Sequence, residues 1–208
     1  IIANIERVSA LYLTKTLYSI LLCVIFILLG RAYPFIPVQL SLISAACIGF
    51  PSFVLTLEHT EEVTSTGLLR HVMQTALPAA ITMVVTLLVL QVLSPFWKET
   101  EVFTYTFDLL VGGAVGIMVV FRVCRPLNWL RGILCVCVIA VFSVGVLLFP
   151  GCLGSLSIFC WQMGLAIPLV CMVILLYHEL IRLILCCYRI RARIHEKLEI
   201  LFPKRKKK

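Results

Sequence analysis

Residues 11–52 read LYLTKTLYSILLCVIFILLGRAYPFIPVQLSLISAACIGFPS: two apolar runs joined by Gly30-Arg31-Ala32-Tyr33-Pro34, the second framed by Pro37 and Pro51. A helix that crosses a bilayer needs about 20 mostly apolar residues, and each run has that length. Each also carries a polar stripe that hydrocarbon would not tolerate. At helical spacing Ser9, Tyr12, Lys15, Thr16, Ser19 and Cys23 share one face of the first run, while Ser41, Ser44, Ile48 and Ser52 share a face of the second. The pattern predicts two membrane helices whose polar faces look at each other across an ion path.

Working outward, the 208 residues are 62% apolar with a mean hydropathy of +1.09. Soluble domains contain about 45–50% apolar residues, so that class is excluded. Hydropathy predicts six spans, Leu11 to Gly30, Ile36 to Leu57, Ala76 to Leu93, Thr104 to Val123, Gly132 to Phe149 and Cys160 to Tyr177. The expected fold is an all-α bundle of six transmembrane helices. Its parts are a first hairpin with a stalk entry (1–57), a cytoplasmic loop (58–75), four further helices (76–187) and a basic tail (188–208). The first run is full length and the next follows within a few residues, unlike a signal peptide. The chain opens on Ile-Ile without an initiating Met, which fits a piece of a longer protein.

An even number of spans puts both termini on one side. Of the 18 Lys and Arg residues, all but Arg31 and Lys98 fall toward that side, which predicts cytoplasmic termini. Phe96 and Trp97 suit an outer interfacial belt, and Pro168 predicts a kink within the last span. Beyond it Ile190, Ile194, Leu198 and Leu201 share a face between basic residues. This amphipathic extension, with the closing Pro-Lys-Arg-Lys-Lys-Lys, reads as an anchor on anionic lipid rather than a nucleic-acid signal.

Most of the ten cysteines lie in apolar runs, where a thiol packs as a small hydrophobe. Cys152 and Cys160 flank a short outer loop, compatible with a bridge or with two free thiols. Cys135 and Cys137 lack partners at metal-site spacing. No His is assigned a role, and no phosphate loop occurs. Among acids only Asp108 falls within a predicted span, so a hard cation would meet mainly hydroxyls, amides and carbonyls here. Pro51 cannot donate to the carbonyl of Cys47 four residues back, which leaves that oxygen free either to bind an ion or simply to mark a kink. Gln39 reads as structural, and Asn4, Glu6 and Arg7 by chemistry alone read as a solvated helix face.

The series ANIERVSALYLTKTLYS, YPFIPVQLSLIS and IGFPSFVLTLE, followed later by CRPLNWLRG, resembles the fifth to tenth membrane helices of bacterial cation-transporting P-type ATPases of the calcium-pump branch. The resemblance implies that Asn4 and Arg7 continue a stalk helix toward a phosphorylation domain. It also implies an ion path along Lys15, Thr16, Ser19, Ser44, Cys47, Gly49 and Pro51, with Thr16, Ser19 and Ser44 as metal ligands. Calcium is then the transported ion, with ATP and magnesium entering only through upstream domains. Thr16, Ser19 and Ile48 stand where animal calcium pumps carry an amide or an acid, which favours a single ion. The principal carboxylate is expected from a helix upstream, and Lys15 is expected either to snorkel to headgroups or to stand in for a second cation. No Asp-Lys-Thr-Gly motif is present, so the chain alone should not hydrolyse ATP. A channel or secondary-transporter half and a non-transporting anchor are the rival classes.

Overall fold

The computed structural model describes residues 2–58, 68–93, 101–153 and 166–201, and every regular element among them is helical. Helix α1 (Ile2–Leu28) contains neither Gly nor Pro. It ends where Gly30 takes a left-handed φ of 62°, with the Arg31 amide donating to the Phe26 carbonyl and the Gly30 amide to that of Ile27. This crossed pair of bonds is the Schellman closure, for which a residue without Cβ is best suited.

The second span is three pieces in one rod: α2 (Pro37–Ser44), a π turn (Ala45–Gly49) and α3 (Phe50–Leu57). Pro37 opens α2 at a position that needs no amide donor. Pro51 follows the π turn, in which the Phe50 amide reaches back five residues to the Ala45 carbonyl. A proline ring crowds the carbonyl four residues back, and a widened turn relieves that clash without breaking the helix.

Helix α4 (Leu68–Leu93) holds Pro78 inside it. The Thr82 hydroxyl donates to the Pro78 carbonyl and the Thr86 hydroxyl to that of Thr82, both at 2.8 Å, so these buried threonines satisfy themselves within their own helix. Next come α5 (Glu101–Val123), α6 (Trp129–Leu148), the single turn α7 (Pro150–Leu153) and α8 (Ala166–Leu201). Six stretches are long and apolar enough to span a membrane: Asn4–Leu28, Pro37–Leu57, Val72–Val92, Thr104–Val123, Trp129–Leu148 and Ile167–Cys187.

The last of these overlaps the span that hydropathy placed at Cys160 to Tyr177, whose first residues lie outside the described ones. Pro168 is the third described residue of α8, and the residues before Ala166, against which a kink would be judged, lie outside the described ones too. The backbone of the basic extension continues α8 without interruption to Leu201. Helix α4 begins at Leu68, where the cytoplasmic stretch reads as a loop leading into a helix. Residues 59–67, Lys98 and Cys160 lie outside the described residues, so the outer belt and the Cys152–Cys160 question do too.

Helix α5 is the hub, in contact with α1, α2, α4, α6, α8 and the π turn. Small residues let it approach. A Cβ on Gly113 would run into the Phe142 ring, and one on Gly116 would lie 2.9 Å from Cys47 Sγ. Membrane helices have little hydrophobic drive to pack on one another and depend on such close contact.

Candidate functional site

Two polar assemblies stand at different depths. At the end of the bundle that holds the N-terminus, Glu58 follows α3 and meets Arg131 in the first turn of α6. Arg131 Nε donates to both carboxylate oxygens at 2.9 Å, and its Nη1 donates to the Pro126 carbonyl at 2.8 Å. The Arg131 side chain is 1% exposed and that of Glu58 9%. Asn4 Nδ2 donates to the Glu58 carbonyl at 2.6 Å, and Arg7 Nη1 donates to Asn4 Oδ1 at 3.5 Å. Asn4 and Arg7 are therefore buried rather than a solvated face, and they tie α1 to the ends of α3 and α6.

Deeper in the bundle, α1, the π turn, α4 and α5 line a cavity of about 20 Å³, walled by Thr14, Lys15, Tyr18, Cys47, Met83 and Gly116 among others. That volume suits about one water-sized occupant. The Tyr18 hydroxyl is buried here without a hydrogen-bond partner. Lys15 and Cys47, singled out from sequence, therefore meet at one place.

The other sequence-predicted residues distribute around this cavity rather than in it. Thr16 is about 100° around the helix from Lys15 and lies on the exposed side of α1, its hydroxyl donating to the Tyr12 carbonyl at 3.1 Å. Thr14 takes the inward position instead, its hydroxyl donating to the Ala10 carbonyl at 2.7 Å. Ser19 is half-buried and shares a hydrogen bond with Tyr33; burial pushes the Tyr33 hydroxyl above its ordinary range, and that bond pulls the other way. Ser44 opens the π turn with a buried hydroxyl that has no partner. Gly49 closes the turn and is exposed, while Pro51 is buried in α3. Ser52, read as part of the polar face, donates its hydroxyl to the Ile48 carbonyl within its own helix. Among the described residues no three of His, Cys, Asp or Glu stand together as a metal group.

At the opposite end a cleft of about 330 Å³ is lined by Arg31, Ala32, Tyr33, Pro34, Gln91, Thr104 and Tyr105. Arg31 Nη1 donates to the Gln91 carbonyl at 3.0 Å. Gln39 is fully buried nearby and behaves as a bolt. Its Nε2 donates to the Tyr105 carbonyl at 3.2 Å and to that of Leu153 at 2.8 Å, while its Oε1 accepts from the Ile36 amide.

The Glu58–Arg131 pair, Thr14 and Tyr18 were not singled out from sequence. For the pair a signal exists: an arginine three residues into an apolar run needs a counter-charge. For Thr14 and Tyr18 the stripe containing Thr16 is only a neighbouring stripe on the same helix, and periodicity does not choose between them.

No family model matches the chain, and no solved structure does. Curated relatives do match. The chain is 38% identical over 160 residues to a probable cation-transporting ATPase, exp7, of Streptococcus pneumoniae, covering 72% of this chain and 20% of that protein. It is 31% identical over 164 residues to the calcium-transporting ATPase CtpE of Mycolicibacterium smegmatis, covering 69% and 20%. The CtpE of Mycobacterium bovis is 34% identical over 146 residues, covering 63% and 18%. The chain thus spans about a fifth of the length of the curated relatives it matches. With six membrane-spanning helices and this similarity along most of its length, the chain is a relative of the bacterial cation-transporting P-type ATPases.

Proposed function

We propose that the chain is the C-terminal transport part of an ATP-driven cation pump of a bacterial plasma membrane, and that calcium is the ion carried. Two of the relatives cited are described as calcium-transporting, which supports that ion over others. In this reading an aspartate is phosphorylated in a domain elsewhere in the parent, where ATP and magnesium act. The movement reaches the membrane through α1, whose Asn4 and Arg7 grip the end of the second span. The Lys and Arg asymmetry places both termini in the cytoplasm, with the basic end of α8 on anionic lipid.

The observation that carries the reading is Lys15 at a small pocket shared by α1, the π turn, α4 and α5. A lysine within a membrane helix costs a few kcal/mol unless a cavity or counter-charge receives it. Here the half-buried Lys15 side chain lines the pocket beside the π turn. Lys15 acts as a built-in cation that occupies one ion position and pairs with a carboxylate from the remainder of the parent, so that one ion moves per cycle. The Ser44 hydroxyl and Cys47 carbonyl contribute from the π turn, whereas Thr16, bonded to its own backbone on the exposed side of α1, and Ser19 stand outside the pocket. In the complete pump, Lys15→Met should change ion stoichiometry or shift the apparent calcium affinity about tenfold, equivalent to about 1.4 kcal/mol, with Lys15→Arg less harmful. Calcium uptake by vesicles with unchanged stoichiometry and affinity in a well-expressed Lys15→Met pump would refute the role.

A further inference from the structure

The cleft at the end of the bundle away from the clasp lies apart from the Lys15 pocket. Three chain segments wall it: the turn after α1 with Arg31 and Tyr33, the end of α4 with Gln91, and the first turns of α5 with Thr104 and Tyr105. Arg31 is three residues past the end of one membrane-spanning stretch, Gln91 is one residue before the end of another, and Thr104 opens a third. The cleft therefore sits at the depth where hydrocarbon gives way to lipid headgroups, the level that tyrosines favour.

On the sequence layout only Arg31 and Lys98 of the 18 Lys and Arg residues fall toward this end, so an arginine here needs a local reason. Closing the end of α4 is one part of it. Arg31 Nη1 donates to the Gln91 carbonyl at 3.0 Å and to Gln91 Oε1 at 3.5 Å, which suits a cation beside the last carbonyls of a helix. Those bonds occupy one corner of a planar five-donor fork and fix its plane against the cleft wall. Among the described residues Nε and Nη2 meet no acceptor. The cleft holds about 330 Å³, far more than a helix cap needs and in the range of small-ligand sites.

A guanidinium edge beside hydroxyl groups matches the oxygens of a phosphate. At this depth the phosphate within reach is that of a phospholipid. None of the described lining residues is acidic, so the ammonium of a zwitterionic headgroup finds no counter-charge, whereas a glycerol headgroup brings hydroxyls that Thr104 and Tyr105 can meet. We propose that the cleft is a headgroup site for an anionic phospholipid of the phosphatidylglycerol class, with Arg31 gripping the phosphate and the lipid joining the turn after α1 to α4 and α5. The site is independent of which ion the pump carries.

The test uses the complete pump, purified and delipidated in a neutral detergent, with a phosphatidylglycerol that carries a photoreactive diazirine on its headgroup. Peptide mass spectrometry locates the adducts and so separates the cleft from the basic end of α8. Adducts should appear on the peptides that hold residues 31–34 or 104–105. Arg31→Gln should lower that yield about tenfold, the scale of one lost hydrogen bond to a charged group, while the yield on α8 stays unchanged. Arg31→Lys should fall between, and Thr104→Val should cost a few-fold with the guanidinium still in place. Unlabelled phosphatidylglycerol should compete, phosphatidylethanolamine should compete far less, and excess inorganic phosphate should not compete. Adducts confined to α8, a yield that survives Arg31→Gln, or equal competition by phosphatidylethanolamine would overturn the proposal. Displacement by inorganic phosphate would assign the cleft to a free anion and overturn the lipid site too. If Arg31→Gln does not elute as the native pump does, the Thr104→Val yield and the competition series decide.

Discussion

The clasp of Asn4, Arg7, Glu58 and Arg131 and the column of Tyr18 and Ser44 are both buried and polar, yet they follow opposite rules. In the clasp the Glu58 carboxylate is held by a guanidinium, and hydrogen bonds run on through Asn4 to Arg7. In the column, two hydroxyl oxygens lie buried with no hydrogen-bond partner. A buried charge missing its partner is costly, so a fold that needs only stability pairs such groups, as the clasp does. Unpaired oxygens strung along the axis of a bundle are a standing cost, and that cost makes sense where something passes and binds for a moment.

Removing one half of the clasp should have the largest effect on stability. Arg131→Met strands Glu58 in a dry site and should destabilise the detergent-solubilised chain by about 3–5 kcal/mol in chemical unfolding, with the Glu58→Leu, Arg131→Met double variant recovering much of the loss. An Arg131→Met chain as stable as the native one would erase the distinction between the two regions. A smaller loss is expected from Gln39→Leu. The carbonyls of Tyr105 and Leu153 lose their donor, at about 1–3 kcal/mol. The smallest effect belongs to the column: Tyr18→Phe deletes a hydroxyl that bonds to nothing and should leave unfolding stability within about 0.5 kcal/mol. A loss of 2 kcal/mol or more in Tyr18→Phe, well above the usual scale for a neutral change, would show that the column is held together like the clasp.

The all-α membrane class and the six spans were legible because hydropathy averages over some 20 residues and tolerates local error. Lys15 and Cys47 were legible as a pair because a charge and a proline-linked break inside apolar runs are rare. Which stripe of α1 faces inward was not, since Thr14 and Thr16 both flank Lys15 and the helix is apolar nearly all round. The Glu58–Arg131 pair spans 73 residues of sequence, a separation no local pattern reports. Asp108 was conspicuous as an acid in a span, but its full burial beside Gln91 is a property of the packing alone.

The π turn acquires a further meaning from what holds the two ends of its rod. Gln39 fastens one end of the second span to α5 and α7, and Glu58 fastens the other to α1 and α6. A rod pinned at both ends can neither slide nor tilt freely. Slack is left in its winding, and a π turn stores one surplus residue of it. Tightening that turn to ordinary α geometry would feed the surplus residue toward one anchor and rotate the intervening side chains about 100° around the axis. The second span would then work as a torsional element, turning Ser44 and Cys47 relative to each other while both of its ends stay in place.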